Sequence, residues 1–114
     1  EAELAPVRVA MVVASRRAGL PSPVDGVTTA TQDAEALAAD AQRSRRFGFG
    51  AKLCIHPAQV AGVHEALAPT QAECDWARRV LAAEVAAGGG AFSVDGKMVD
   101  PPVLLLARSL LRER

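Results

Sequence analysis

Asp100 is the residue in this chain best placed to do chemistry. It follows Gly89-Gly90-Ala91-Phe92-Ser93-Val94-Asp95-Gly96-Lys97-Met98-Val99 and precedes Pro101-Pro102. Val94 and Met98 flank Asp95-Gly96, a dipeptide that tolerates the positive φ angles of a two-residue hairpin turn. A residue before proline is biased toward extended backbone, and prolines suit the first turn of a helix. The segment therefore reads as hairpin, acid, helix. A carboxylate held between two rigid elements can give or take a proton. The same carboxylate can be an ordinary helix N-cap, and spacing alone leaves both roles open.

Other candidates are weaker. Pro57 and Ala58 follow an apolar stretch, Lys52-Leu53-Cys54-Ile55, that reads as a strand. A helix opening at Pro57 would put its N-terminus beside a strand end, where anions can bind, though proline there can simply start the helix. His56 beside the same strand end is a possible base, but a lone histidine in that place is more often a hydrogen-bonded structural residue. His64 falls on an exposed-looking helix. Asp25 can face a ligand or support a turn. Cys54 reads as inert packing, and Arg43, Arg45 and Arg46 as a solvated last helical turn favoured by the helix dipole. Gly88-Gly89-Gly90 lacks the following Lys and Ser/Thr of a phosphate loop and reads as a hinge before the hairpin.

The elements that must position these residues follow from the pattern. Residues 4–18 have helical apolar spacing and close on Arg16-Arg17 before Gly19. Residues 24–28 form a short strand candidate. Asp33 caps a helix whose Leu37, Ala38 and Ala41 share a face, ending near Phe47-Gly48. The strand at 52–55 comes next, then a helix from Pro57 through Leu67. Thr70-Gln71-Ala72-Glu73 is a capping box opening a helix with Trp76, Val80, Leu81 and Val85. The hairpin follows, and 101–112 is a last helix with Val103, Leu104, Ala107, Leu110 and Leu111 inward.

Strands alternating with amphipathic helices imply βα units and parallel pairing. Two parallel strands leave unpaired edges and uncovered faces. The expectation is that 114 residues of this kind belong to a larger α/β unit or complete one by association. The initial Glu, rather than Met, suggests a fragment or processed product.

Composition narrows the partners. Thirteen basic and thirteen acidic residues balance to zero charge, which gives no electrostatic reason to expect nucleic acid. Three Phe and one Trp offer few stacking platforms. The longest apolar run, residues 9–14, falls far short of the roughly 20 needed to span a bilayer. Two cysteines without CxxC spacing fit reduced thiols in the cytoplasm better than a disulfide framework or zinc site.

The runs Pro23-Val24-Asp25-Gly26-Val27, Gly50-Ala51-Lys52-Leu53-Cys54-Ile55-His56-Pro57-Ala58-Gln59-Val60, Trp76-Ala77-Arg78-Arg79-Val80-Leu81 and Gly96-Lys97-Met98-Val99-Asp100 together resemble the citrate lyase β-subunit-like proteins. These stand with malyl-CoA and citramalyl-CoA lyases in the HpcH/HpaI aldolase superfamily. The resemblance covers essentially all of the chain. It implies an α/β fold: residues 1–68 as the last βα units of a (β/α)8 TIM barrel, and 69–114 as a C-terminal helix–hairpin–helix extension. A complete barrel takes about 250 residues, so this would be its closing part.

The resemblance also implies a function. Members are Mg²⁺-dependent carbon–carbon lyases that cleave or form 3-hydroxyacyl-CoA thioesters of the citryl-, malyl- or citramalyl-CoA type, giving acetyl-CoA and an oxo acid. They assemble as trimers or hexamers. Asp100 occupies the position of the family's catalytic aspartate, and Pro57 and Ala58 align with residues that hold the pantetheine region of the CoA thioester. No metal ligand is assigned in this chain, because the family's Glu and Asp ligands and its carbonyl-steadying arginine fall in earlier barrel strands. Where relatives often carry an acidic or aromatic residue, this chain has Thr28, Thr29, Ala30 and Thr31. On this reading the complete protein is the enzyme and the isolated 114-residue chain is expected to be inactive. The alternative reading is a non-catalytic fragment acting as an interaction or oligomerisation module.

Overall fold

Pro6 lies in the first turn of the first long helix, where its missing N–H costs nothing, and Arg16 and Arg17 favour the dipole in its last turn. This helix, α1 (Ala5–Arg17), follows a short 3-10 turn at Ala2–Leu4. The computed structural model describes residues 1–112. The chain divides into two units, Glu1–Leu67 and the remainder from Ala68, and each is described by itself.

In the first unit, β1 (Val24–Asp25) and β2 (Ala51–Lys52) pair in parallel, with Val24 opposite Ala51 and Asp25 opposite Lys52. Two flanking bonds lengthen the ladder: Gly50 N–H to the Pro23 carbonyl and Leu53 N–H to the Asp25 carbonyl, both 3.0 Å. The connection between the strands is α2 (Ala34–Phe47), an ordinary βαβ crossover. Asp33 caps α2 by accepting from Ala36 N–H at 3.0 Å. Gly48 ends it at φ +100°, a left-handed conformation that favours glycine. Leu37, Ala41 and Ser44 form its buried face. A 3-10 turn at Pro57–Gln59 then leads into α3 (Val60–Leu67), which packs Val63 toward α2.

Three expectations need correction here. The strand expected over 52–55 is Ala51–Lys52 instead, and Leu53 and Ile55 are 58% and 53% exposed rather than buried. Two strands satisfy only one edge each, so pairing ends where β1 ends; the Ile55 N–H turns to the Gln59 side chain instead. The strand expected over 24–28 likewise stops at Asp25, where Gly26 turns back onto the Asp25 carboxylate. Pro57 opens a 3-10 turn, and the α-helix begins only at Val60. α1 forms as expected but buries none of its residues; Val7, Val9, Met11 and Val13 all remain about half exposed.

In the second unit, α4 (Gln71–Ala87) starts on the expected capping box. Thr70 Oγ1 accepts from Glu73 N–H, and Glu73 Oε1 accepts from Thr70 N–H, both at 3.1 Å. The hairpin pairs β3 (Ser93–Val94) with β4 (Lys97–Met98) in antiparallel register, Ser93 opposite Met98 and Val94 opposite Lys97. Both turn residues have positive φ, Asp95 at +52° and Gly96 at +77°; that is the pattern matching the twist of flanking strands. α5 (Pro101–Arg112) packs along α4 around Ala77, Val80, Ala107 and Leu110. The two alanines let the helices approach closely, and Trp76, Leu81, Val94, Val99, Leu104 and Leu111 ring this core. No helix among the described residues is long and apolar enough to cross a membrane.

Candidate functional site

Asp100 is positioned from both sides within the second unit. On one side, Val99 N–H donates to the Phe92 carbonyl at 3.0 Å, carrying the hairpin ladder up to the residue before it. On the other, Pro101 begins α5 immediately. Asp100 Oδ1 accepts from Val103 N–H at 3.1 Å, and its main-chain carbonyl accepts from Leu104 N–H at 3.1 Å. The N-cap role is therefore realised. A carboxylate has two oxygens and about four lone-pair sites; capping occupies one oxygen, and Oδ2 has no hydrogen-bond partner among the described residues. The side chain is exposed. At the hairpin tip, Arg79 on α4 pairs with Asp95 at 2.9 Å.

The first unit gathers polar groups at the C-terminal ends of β1 and β2, and most of them escape a sequence reading. Asp25 is buried. Its Oδ2 accepts from the Ser44 hydroxyl at 2.5 Å and faces Arg8 Nε at 3.6 Å, while Oδ1 accepts from Gly26 N–H at 2.8 Å. Burial pushes this carboxyl up, but the Ser44 hydroxyl, the Gly26 N–H and the positive charges of Arg8 and Lys52 outweigh it. The net effect holds Asp25 below the usual carboxylate range. Both its oxygens are committed, so it is a structural anion rather than a free base.

Lys52, also buried, donates from Nζ to the Gly26 carbonyl at 2.6 Å. Gln59 is 1% exposed, and its amide bridges two loops: Nε2 donates to the Thr28 carbonyl at 2.8 Å, and Oε1 accepts from Ile55 N–H at 2.9 Å. Thr28 in turn donates from Oγ1 to Asp40 at 2.7 Å. Of this group the sequence alone points to Asp25 as a candidate and to Thr28 only as a departure from relatives. Ser44 carried a legible signal, since it continues the stripe of Leu37 and Ala41 and so places a hydroxyl on a core face. Arg8 carried none, because Asp25 is remote in sequence; Gln59 has Ile55 four residues away, but its other partner, Thr28, is just as remote.

His56 does what a structural histidine does: Nδ1 accepts from Ala58 N–H at 3.0 Å. When neutral, the ring must then carry its proton on Nε2. Pro57 has no N–H, its carbonyl accepts from Val60 N–H, and the Ala58 N–H is already taken. What this turn offers a ligand is chiefly the apolar surface of a proline ring and a methyl group, not backbone donors. His64 is exposed on α3, and Cys54 and Cys74 are free thiols, half-buried and buried respectively. Arg43 pairs with Asp40 at 3.3 Å and with Glu1 at 3.8 Å.

Among the described residues no group of three His, Cys, Asp or Glu can hold a metal ion. Asp25, the one buried acid among the described residues, already has both oxygens engaged beside two cations. These residues do not fit a Mg²⁺ site.

No model of a protein family matches the chain. Individual proteins do. A citrate lyase subunit beta-like protein of Deinococcus radiodurans is 48% identical over 107 residues, covering 91% of this chain and 37% of that protein. Citrate lyase subunit beta of Escherichia coli K12 is 40% identical over 112 residues, covering 96% and 37%. A (3S)-malyl-CoA thioesterase of Cereibacter sphaeroides is 39% identical over 103 residues, covering 88% and 36%. Among solved structures, CitE of Mycobacterium tuberculosis in complex with magnesium, acetoacetate and coenzyme A superposes with a TM-score of 0.80 at 39% identity, over 93% of this chain and 39% of that one. A citrate lyase of Burkholderia xenovorans gives 0.77 at 29% identity. The chain thus spans little more than a third of the length of the curated relatives it matches. It belongs to the citrate lyase β-subunit-like family and corresponds to a C-terminal part of such proteins.

Proposed function

We propose that this chain is the closing part of a (β/α)8 barrel and its helix–hairpin–helix extension in a carbon–carbon lyase acting on 3-hydroxyacyl-CoA thioesters. The substrates are of the citryl-, malyl- or citramalyl-CoA type, and the products acetyl-CoA and an oxo acid. The observation that carries this reading is the free Oδ2 of Asp100, on a carboxylate whose other oxygen and backbone are locked by α5 and the hairpin. In the condensation direction Asp100 takes a proton from the acetyl methyl carbon, and in cleavage it returns one there. A rigid base saves the reorganisation a mobile one would need. Pro57 and Ala58 contact the thioester's pantetheine arm through apolar surface. The magnesium and coenzyme A bound to the M. tuberculosis relative support the substrate class. On this reading the Mg²⁺ ligands of the complete protein lie upstream of this chain, whose described residues hold no group of three His, Cys, Asp or Glu able to bind a metal ion. The complete protein is read as a cytoplasmic trimer or hexamer.

The test is the complete protein with Asp100→Asn, assayed for acetyl-CoA release from each of the three thioesters. Asn keeps the cap, so the expected result is normal thermal stability with turnover lost. Normal turnover would remove Asp100 from the chemistry.

A second reading, a non-catalytic interaction module, draws on the half-exposed apolar side chains of α1 and the open edges of the β1–β2 pair. Light scattering on residues 1–114 alone separates the two. A discrete stable oligomer of the isolated chain favours the module; a monomer without turnover favours the lyase part.

A further inference from the structure

Gln59 is the largest fully buried side chain among the described residues, and it is polar. A buried amide is tolerated only where its donors and acceptors are met. Here they are met by main-chain groups from two different strand ends. Nε2 donates to the Thr28 carbonyl, in the loop after β1, and Oε1 accepts from the Ile55 N–H, just after β2. The Gln59 main-chain N–H adds a third tie, to the His56 carbonyl at 3.0 Å. Between these anchor points lie only Pro57 and Ala58. The ladder itself ends at Leu53, so it does not reach this turn. His56 caps the turn from within and ties it to nothing beyond.

We infer that Gln59 is a positioning residue for the thioester contact. By bridging the loops after β1 and β2, its amide sets where the Pro57–Ala58 surface stands relative to the strand ends. This rests on the proposed CoA-thioester function. It adds that affinity for the CoA portion depends on a residue that touches no ligand. Because the turn offers few free donors, its contribution is one of shape, and shape contacts are lost through small displacements.

The test uses the complete protein and its Gln59→Leu and Gln59→Glu variants, with coenzyme A binding by calorimetry and steady-state kinetics as readouts. Gln59→Glu is close to isosteric. Its carboxylic acid form can still donate to the Thr28 carbonyl; its ionised form cannot. The expected result is a rise in coenzyme A Kd and thioester KM of roughly tenfold or more in Gln59→Leu, which leaves the Thr28 carbonyl and Ile55 N–H unmet, with kcat changed far less. In Gln59→Glu the KM defect should grow as pH rises and shrink as it falls, and it should persist at every pH where thermal melting shows the variant fully folded, since ionising a buried carboxyl also lowers stability. If the unaltered protein binds coenzyme A and a folded Gln59→Glu matches it in Kd and KM at every pH, the inference is overturned and the proposed function stands. If the unaltered protein neither binds coenzyme A nor turns over thioesters, the functional reading fails, and this inference with it.

Discussion

The Ser44 hydroxyl donates to Asp25 Oδ2 at 2.5 Å, joining the core face of α2 to the end of β1. Both residues are buried, Ser44 completely. With Arg8 and the Gly26 N–H, the hydroxyl lets an ionised carboxylate sit inside the first unit at no net cost to its charged form.

That relationship has a pH signature. Asp25 is held below its ordinary value, so its contribution to stability is complete above the unfolded carboxyl pKa of about 3.9. It is lost as pH falls through the lower folded value. Ser44→Ala removes a hydrogen bond to a charged group, for which about 1.5–3 kcal/mol is typical. Urea unfolding at neutral pH should show that loss. Titrating downward, both proteins should begin to lose stability near the unfolded carboxyl value, but the variant should lose less and finish at a higher pH, because its folded carboxyl is depressed less. Equal midpoints throughout the acid range would mean the hydroxyl does not stabilise the carboxylate.

Asp100 separates structure from chemistry in one residue. Its cap bond to Val103 is of a kind whose removal costs about 1 kcal/mol. Asp100→Ala should therefore lower stability by that amount, and Asp100→Asn by a few tenths or less. On the proposed function both variants abolish turnover in the complete protein. Chemical denaturation of both, beside the assay, checks the first claim without depending on the second.

Local rules made most of the elements legible. The capping box at Thr70–Glu73, the Asp33 cap, the Asp95-Gly96 turn and the Asp100-Pro101 helix start all depend on neighbours within a few residues. The strands are shorter than the pattern implies because a run such as Leu53–Ile55 is apolar whatever covers it; Leu53 and Ile55 stay exposed here because nothing else in the first unit covers them. The buried polar cluster was largely illegible for a different reason. Arg8 meets Asp25, and Gln59 meets Thr28, only once the βαβ crossover has folded. No spacing rule connects residues so far apart. The cap at Asp100 is legible because its setting is local.

Gly48 tests the end of α2. Its φ of +100° disfavours any residue with a Cβ, and an added Cβ would lie 3.0 Å from Val12 Cγ1 on α1. Left-handed backbone alone costs an L-residue about 1–2 kcal/mol. Gly48→Ala should lose at least that much, measured by the denaturant midpoint. Gly26→Ala is a fair control for the added methyl group, since it has negative φ and open space. A Gly48→Ala variant as stable as that control would mean the helix end relaxes around the new side chain.

Val80 tests whether the α4–α5 core holds the hairpin's acid in place. It is completely buried beside Ala77, Ala107 and Leu110, with Val94 of the hairpin and Val99 packed against the same cluster. Val80→Ala removes two methyl groups, at about 0.8 kcal/mol each, and leaves a cavity, so a loss of about 2 kcal/mol is expected. Arg79→Ala, one residue away, removes only the exposed pair with Asp95 and should cost about 0.2–1 kcal/mol. Because Val99 precedes Asp100 and packs on the damaged core, amide hydrogen exchange at Val99 and Val103 should accelerate in Val80→Ala and stay near normal in Arg79→Ala. The opposite ranking would mean that the surface ion pair, not the apolar contact between helices, fixes the hairpin and the carboxylate that follows it.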